Sequence, residues 1–312
     1  MLNVFIDGRA GTTGLRIVER LTDRTDIKLM SLSELDRKDP KKREECINSS
    51  DLTFLCLPDD AARESVSMVK NDKVKIIDAS TAHRTNPKWA YGFPELGADF
   101  RDKIISSKRV VVPGCHASGF LSIAYPLIKL GVISKTSLLT CFSLTGFSGG
   151  GNALITSYNE SNQSLKAPRE YALSQTHKHL PEMQYISQLE CPPNFNPIVC
   201  DYYCGMAVTV PLFKSELKKV ACLKDIYSLL NDFYKKEKLV SVFPLGEGDK
   251  NGFISADILK NKDYMKIHIG GNDERISITS LLDNLGKGAS GAAVQCMNLM
   301  MGCEETKGLC KE

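Results

Sequence analysis

LNVFID at Leu2–Asp7, GRAGTTG at Gly8–Gly14 and LRIVERL at Leu15–Leu21 follow one another as a buried strand, a glycine turn and an amphipathic helix. Glycines in such a turn permit a tight bend and let a pyrophosphate approach backbone N–H groups. The pattern therefore predicts a dinucleotide-binding turn. Its expected contacts are Gly8, Gly11, Thr12, Thr13 and Gly14.

Strand-like and helix-like segments continue to alternate as far as residue 112. The strand-like runs lie at 27–32, 52–57, 74–78 and 110–112, and the helix-like segments lie at 41–47 and 61–69. Such alternation is typical of a parallel sheet built from βαβ units. The sequence therefore predicts an α/β protein with an N-terminal Rossmann domain.

The chain changes character after residue 115. Longer strand-like runs and a helix-like segment at 223–235 predict a second, mixed α+β domain. Residues 145–200 are rich in Gly, Ser, Asn and Pro and predict long functional loops. Small residues from Gly286 to Gln295 predict a final helix that approaches another backbone or a ligand closely. The strand-like runs of this half are 137–144, 206–212, 239–244, 266–271 and 275–282.

The end of the second strand favours NADP over NAD. An acidic residue at this tip would bind the ribose 2′-OH of NAD, but only Glu34 is nearby, and it is imperfectly placed. Ser31, Ser33 and Arg37 suit the 2′-phosphate of NADP better. The loop after the third strand, which contains Pro58, is expected at the same cofactor-binding edge of the sheet.

Cys115 lies between a β-branched strand and a helix-like stretch, in Val110-Val111-Val112-Pro113-Gly114-Cys115-His116-Ala117-Ser118-Gly119. The N–H groups and the dipole of a helix N-terminus stabilise an anion. A thiol so placed becomes a nucleophile near neutral pH, whereas an ordinary free cysteine is a buried structural residue. We therefore expect Cys115 to be the catalytic nucleophile.

Two further segments carry groups suited to binding or catalysis. Ser80 and Arg84 follow the strand that ends at Asp78, where a hydroxyl and a guanidinium can clamp a phosphate or carboxylate. The alternative for Arg84 is an ordinary surface arginine. His177 and His179 are candidates for the acid–base partner of Cys115, and His179 is preferred over His177.

Composition and charge argue against several classes of protein. The chain has 312 residues, of which 42% are hydrophobic and 25% charged, and its net charge of +3 gives no reason to expect nucleic-acid binding. No apolar run approaches the roughly 18 residues of a membrane span, and no signal peptide is recognised. Eleven cysteines without a CxxC pair predict reduced thiols in a cytoplasmic protein and no metal site.

In combination, these motifs resemble the shorter class of N-acetyl-γ-glutamyl-phosphate reductases, relatives of aspartate-semialdehyde and glyceraldehyde-3-phosphate dehydrogenases. The longer class usually has Asn before the Pro-Gly-Cys and Tyr after it, where this chain has Val112 and His116. The resemblance covers nearly the whole chain. The segments that carry it are Gly8–Gly14, Cys56–Ala62, Asp78–Arg84, Tyr91–Leu96, Pro113–Phe120, Thr145–Gly151, His177–Glu182 and Asp283–Ala289.

The resemblance implies an NADP-binding Rossmann domain over residues 1–116 and 286–312, with a C-terminal helix that returns to it, and a catalytic and assembly domain over residues 117–285. It implies NADPH-dependent reduction of an acyl phosphate to N-acetyl-glutamate semialdehyde, through a thioester on Cys115 and without a metal, in arginine biosynthesis. A homo-oligomer, either dimer or tetramer, is expected. The resemblance also suggests substrate contact by Glu182 and cofactor contact by Gly149 and Asn284.

Two other functions fit parts of the sequence. Aspartate-semialdehyde dehydrogenases share the glycine turn and the cysteine, but their histidine lies much later in the chain than His177 and His179. A catalytically inactive NADP-binding regulator would be expected to have lost Cys115 or the histidines, and this chain keeps them.

Overall fold

The predicted strand, turn and helix at the N-terminus are present in the computed structural model, which describes residues 1–160 and 165–311. The alternation beyond them is confirmed, with a short strand and a helix added between residues 90 and 106. The elements are β1 (Leu2–Asp7), α1 (Thr12–Leu21), β2 (Ile27–Met30), α2 (Pro40–Ser49), β3 (Leu52–Leu55), α3 (Asp59–Ser67), β4 (Lys75–Asp78), β5 (Ala90–Tyr91), α4 (Ala98–Ser106) and β6 (Arg109–Val111).

A long helix, α5 (Cys115–Lys129), begins the second half of the chain. Longer strands dominate after it, as predicted. The elements are β7 (Thr140–Gly146), α6 (Gly151–Glu160), β8 (Arg169–Glu170), α7 (Leu180–Ser187), β9 (Asn194–Cys200), β10 (Met206–Phe213), α8 (Leu223–Tyr234), β11 (Val240–Val242), β12 (Met265–Gly271), β13 (Arg275–Leu282) and α9 (Gly291–Met300).

The chain divides into two compact units. The first contains Met1–Gly114 and Ala289–Leu309, and the second contains Cys115–Gly288 and the residues from Cys310 onward. In the first unit a parallel sheet has the strand order β2-β1-β3-β4-β6-β5. Strand β2 lies on one side of β1, whereas β3 lies on its other side and is followed outward by β4, β6 and β5. The loops after β1 and β3 therefore flank the kind of crevice in which Rossmann folds bind nucleotides.

Helix α9 completes the core of the first unit. Ala293, Val294 and Met297 are fully buried in the same apolar cluster as Val4 of β1 and Ile17 of α1. The predicted return of a C-terminal helix to the N-terminal domain is therefore confirmed.

The second unit contains a mixed sheet in the order β11-β12-β13-β10-β7-β9-β8. Val208 and Val210 of β10 and Ile278 of β13 are buried on the side of the sheet that packs on α5. The register of β7 and β10 places four other side chains on the opposite side, all of them exposed. We call these four the open face: Phe142, Leu144, Pro211 and Phe213.

Residues 145–200 contain more regular structure than the sequence predicts. The expectation of long loops is wrong where α6, β8, α7 and β9 form, while residues 161–164 lie outside the described part of the chain. Pro197 lies inside β9, and a residue without a backbone N–H argues against a strand when only the sequence is considered.

None of the helices within the described residues is long and apolar enough to cross a membrane.

Candidate active site

The glycine turn after β1 leaves no room for a side chain at Gly8 or at Gly14. Gly8 has a φ of +87°, and a Cβ on it would lie 2.2 Å from the carbonyl oxygen of Cys56. A Cβ on Gly14 would lie 2.6 Å from the carbonyl oxygen of Gly8. The first turn of α1, which Gly11, Thr12 and Thr13 open, has no acidic residue. The turn therefore presents backbone N–H groups that suit a pyrophosphate.

The predicted 2′-phosphate contacts after β2 are engaged with acidic neighbours. The Ser33 hydroxyl donates a hydrogen bond to Asp36 at 2.7 Å, and Arg37 forms a 3.0 Å ion pair with Glu34. Ser31 is exposed just beyond the end of the strand. A 2′-phosphate at this tip would therefore compete with two carboxylates.

The loop after β3 is tied to the loop after β4. Pro58 stands immediately before α3, and the carboxylate of Asp59 accepts hydrogen bonds from Thr81, from its backbone N–H at 2.9 Å and also from its hydroxyl. These hydrogen bonds hold both loops at the carboxyl edge of the parallel sheet, where Pro58 is expected.

Ser80 and Arg84 are buried and hold the loop after β4 in shape. The Ser80 hydroxyl donates to Asp78 at 2.8 Å. Arg84 donates from Nε to the carbonyl oxygen of Val112 at 3.0 Å and from Nη2 to that of Ala79 at 3.2 Å. Because Arg84 is only 8% exposed, the surface-arginine alternative is wrong. Substrate binding by Arg84 would therefore have to coexist with these two bonds or replace them.

Cys115 is half-buried at the first position of α5, directly after the turn that follows β6. A Cβ on Gly288 would lie 2.8 Å from the Cβ of Cys115, so the backbone can come this close only because residue 288 is glycine. The close approach predicted for the small residues that begin at Gly286 is therefore present beside the thiol. The helix N-terminus favours an anion at this position.

The two candidate acid–base imidazoles lie together. The ring centroids of His177 and His179 are 4.7 Å apart, and each lies 5.5 Å from the ring of His116. The backbone N–H of His179 donates to Nδ1 of His177 at 3.1 Å. Since that nitrogen acts as an acceptor, a neutral His177 ring carries its proton on Nε2.

Tyr171 connects this histidine cluster with Cys115. Its hydroxyl lies 2.7 Å from Nε2 of His116, the residue that follows the cysteine. Burial raises the pKa of Tyr171, and a negative charge on Cys115 raises it further.

His116, Tyr171 and Ser143 were not predicted from the sequence as part of the site. Nδ1 of His116 lies 2.6 Å from the Ser143 hydroxyl. For Ser143, the sequence signal was the alternation of buried and exposed positions along β7, which places this polar side chain at a buried position.

The remaining predicted contacts are also in the second unit. Glu182 is 1% exposed in the first turn of α7. Asn284 donates to the Ser148 hydroxyl at 2.9 Å and accepts from the backbone N–H of Gly205 at 2.8 Å. A Cβ on Gly149 would lie 3.5 Å from Nδ2 of Asn284, so these two proposed cofactor contacts are neighbours.

In residues 1–160 and 165–311, no group of three or more His, Cys, Asp and Glu side chains is arranged to hold a metal ion.

Two family models match the chain. The model described as semialdehyde dehydrogenase, NAD binding domain, matches residues 19–104, and the semialdehyde dehydrogenase dimerisation domain matches residues 115–284. The first match shows that the chain has a nicotinamide-cofactor-binding domain. The second gives it a dimerisation domain of the same family.

Solved structures of low sequence identity share the fold. Aspartate semialdehyde dehydrogenase II from Vibrio cholerae, complexed with ASA, has a TM-score of 0.72 at 14% identity, covering 97% of this chain and 98% of that one. The Candida albicans aspartate semialdehyde dehydrogenase with NADP has a TM-score of 0.71 at 14% identity, covering 96% and 98%. Identities this low show the fold alone and do not support the aspartate-semialdehyde alternative.

Relatives of much higher identity share one name. N-acetyl-gamma-glutamyl-phosphate reductase 2 of a Nostoc species is 42% identical over 317 residues, covering 98% of both chains. The N-acetyl-gamma-glutamyl-phosphate reductase of Sinorhizobium medicae is 43% identical over 304 residues, covering 96% of this chain and 98% of the relative. By these similarities the chain belongs to the N-acetyl-gamma-glutamyl-phosphate reductase family of the semialdehyde dehydrogenases.

Proposed function

We propose that this chain catalyses the NADPH-dependent reduction of N-acetyl-γ-glutamyl phosphate to N-acetyl-glutamate semialdehyde, with release of phosphate, in arginine biosynthesis. The observation that carries the proposal is Cys115 at the N-terminus of α5, in the unit that also holds the imidazoles of His177 and His179. A thiol and an imidazole are the groups needed to form and resolve a thioester. The nearly full-length similarity to reductases of this name supports the substrate.

In the first half-reaction the Cys115 thiolate attacks the acyl carbon. A C–S bond forms, the C–O bond to phosphate breaks, and phosphate leaves with the electron pair of that bond. Backbone N–H groups at the start of α5 are the expected donors to the oxyanion of the intermediate. Arg84, Ser80 and Glu182 remain our proposed contacts to the substrate.

In the second half-reaction the nicotinamide cofactor, when bound, supplies a hydride to the thioester carbon. Cys115 then holds a thiohemiacetal, whose collapse releases the aldehyde and restores the thiolate. We assign to His179 the transfer of the proton to and from the oxygen of the thiohemiacetal. The reason is that Nδ1 of His177 already accepts a hydrogen bond from the backbone N–H of His179. His177 is assigned as a fixed Nε2–H donor to the developing oxyanion.

A Cβ on Gly8 or Gly14 would collide with backbone carbonyl oxygens, so these glycines permit the tight turn before α1. This turn and the helix N-terminus after it support a pyrophosphate at the start of α1. The absence of an acidic residue directly at the end of β2 supports a preference for NADPH over NADH. Binding of the 2′-phosphate by Ser33 and Arg37 would replace their contacts to Asp36 and Glu34.

The open face supports a homo-oligomer. Its Phe142, Leu144, Pro211 and Phe213 side chains are exposed, and all of them lie in the segment that matches the family dimerisation domain. Apolar side chains grouped on one side of a sheet are stabilised by burial against another surface. We propose that this surface is a second copy of the chain.

The reaction is tested in reverse, as phosphate-dependent reduction of NADP⁺ with N-acetyl-glutamate semialdehyde as substrate. Aspartate semialdehyde serves as the competing substrate under the same conditions. We expect turnover with the acetylated aldehyde, none without phosphate, and little with aspartate semialdehyde. A preference for aspartate semialdehyde, or cofactor binding with no turnover of either aldehyde, would overturn the proposed function.

A further inference from the structure

A buried hydrogen-bonded chain runs from β7 through α5 to the segment after β8. Ser143 Oγ lies 2.6 Å from Nδ1 of His116, and Nε2 of the same ring lies 2.7 Å from the Tyr171 hydroxyl. Ser143 is fully buried and His116 is 3% exposed. Both nitrogens of the His116 ring are therefore held by hydroxyl groups, one from β7 and one from the segment after β8.

His116 is held in its neutral form. Burial, together with the charges of His177 and Lys178, lowers the pKa of His116 to about 3. The ring also faces the imidazole of His179 at 5.5 Å, the uncharged Ser143 and Tyr171 hydroxyls, and the apolar ring of Phe195 at 5.2 Å. A neutral imidazole with both nitrogens engaged cannot itself exchange a proton with a substrate while these bonds last.

The ring of His116 forms one wall around the imidazoles assigned to catalysis. The ring of His177 is edge-on to that of His116, with 5.5 Å between the ring centroids. Its centroid also lies 5.8 Å from that of Tyr171 and 5.1 Å from that of Phe195. His179 lies 5.5 Å from the same His116 ring. Any rotation of His116 would therefore open space beside both imidazoles.

We propose that His116 is a positioning residue that, anchored by Ser143 and Tyr171, fixes the rings of His177 and His179 for reaction at the adjacent Cys115. The inference rests on the proposed function, since that function assigns the roles of the thiol and the imidazoles. Tyr171 has two roles, because its hydroxyl anchors His116 and its ring lies against that of His177.

The chain offers matched variants to separate positioning from packing. Tyr171→Phe and Ser143→Ala each remove one hydroxyl that holds His116. Tyr234→Phe and Ser280→Ala also remove buried hydroxyls, which bond to Ser122 and not to the histidine cluster. Ser143→Thr retains a hydroxyl at position 143 and tests rescue.

Steady-state kinetics gives the first readout. Misplacement of catalytic groups lowers kcat, so we expect kcat to fall roughly 10- to 100-fold in Tyr171→Phe and Ser143→Ala, with KM nearly unchanged. Tyr234→Phe and Ser280→Ala are expected to keep wild-type kcat, and Ser143→Thr is expected to recover most of it. Circular dichroism confirms that each variant is folded.

Alkylation of Cys115 by iodoacetamide gives a readout that needs no substrate. The rate is followed by mass spectrometry of the peptide that contains Cys115, across a range of pH. An imidazolium near a thiol stabilises the thiolate, so loss of positioning is expected to move the midpoint of the rate profile upward by roughly one pH unit in Tyr171→Phe and Ser143→Ala.

Folded Tyr171→Phe and Ser143→Ala proteins with wild-type kcat and an unchanged alkylation midpoint would overturn the positioning role. Equal losses of kcat in Tyr234→Phe and Ser280→Ala would overturn it too, because the effect would then belong to buried hydroxyls in general. An inactive wild-type enzyme whose alkylation midpoint still responds to Tyr171→Phe would reject the assigned substrate and retain the positioning role.

Discussion

Cys115 differs from other cysteines of the chain in its surroundings. It is half-buried at a helix N-terminus, whereas Cys141 is buried within β7, where burial raises the pKa of its thiol well above the usual range. Only a thiolate reacts readily with an acyl carbon. Exposure at the start of α5 therefore distinguishes the Cys115 thiol from a buried one such as that of Cys141.

Cys115→Ser is expected to lower kcat by more than about 10⁴-fold, because a hydroxyl forms almost no nucleophilic anion at neutral pH. NADPH affinity, measured by fluorescence titration, is expected to stay at the wild-type value. Cys222→Ser is the control, since Cys222 precedes α8 at a capping position that serine favours. Substantial turnover by Cys115→Ser would contradict the role of nucleophile.

Lowering the pH is expected to destabilise the fold through His116. Its pKa is about 3 in the folded chain against a reference value of 6.5, so between these values the unfolded chain binds a proton that the folded chain does not. Stability is unaffected by this group above about pH 6.5 and decreases below it, by about 2 kcal/mol from pH 7 to pH 5. Urea unfolding at both pH values measures the loss, which is expected to be smaller by this amount in His116→Asn. An equal loss in both proteins would disprove the effect.

Arg37→Ala is expected to reduce the preference for NADPH by roughly tenfold in kcat/KM, since a charge-assisted hydrogen bond to the 2′-phosphate is lost. The value for NADH is expected to remain unchanged. Arg16→Ala is a matched control, because Arg16 forms a similar ion pair with Glu19, also three residues away along the chain. An unaltered ratio of the two kcat/KM values in Arg37→Ala would remove this residue from the cofactor site.

Helix α5 and strand β10 approach each other closely at one residue. A Cβ on Gly119 would lie 2.3 Å from a methyl group of Val208. Because α5 begins with Cys115, this contact helps to fix the helix start on which the thiol stands.

Gly119→Ala is expected to lower the free energy of unfolding by about 1–3 kcal/mol through overpacking. Val208→Ala in the same chain removes the opposing methyl groups and is expected to recover part of the loss. Urea denaturation of both single variants and the double variant measures the coupling. Additive losses would show that the two residues do not oppose each other.

The elements of the first unit are largely predictable from the sequence, and those of residues 145–200 are not. Buried parallel strands such as β1 and β3 are continuous apolar runs between glycine or polar turns, which a local pattern detects. Strand β9 contains Pro197 and two asparagines, and it forms because it pairs with β7. Its strand structure depends on a distant partner, which no local pattern reveals.

The same distinction applies to the site. The glycine turn and the cysteine at a strand–helix junction are local features, and their places in the fold could be predicted. The hydrogen-bonded chain of Ser143, His116 and Tyr171 joins residues far apart in sequence. Arg84 also depends on a remote partner, the carbonyl oxygen of Val112. These contacts appear only once the chain has folded.

At the scale of the whole molecule, the open face is expected to control assembly. Phe142→Glu places a charge among its apolar side chains, so we expect the oligomer to dissociate to monomers in sedimentation velocity. Leu35→Glu, at a 92% exposed position in the first unit, is the control and should keep the wild-type sedimentation coefficient. A monomeric wild-type protein, or an unaltered assembly in Phe142→Glu, would contradict the proposed interface.

The contribution of α9 to the core of the first unit has a consequence for the nascent chain on the ribosome. Residues 1–114 cannot complete their core until residues 289–309 have been synthesised, roughly 195 residues later. At about 5–20 residues per second this delay lasts about 10–39 s. The second unit is formed mainly by the continuous segment Cys115–Gly288, which is available within that interval. We therefore expect the second unit to fold first, while the N-terminal sheet waits with apolar residues exposed and available to chaperones.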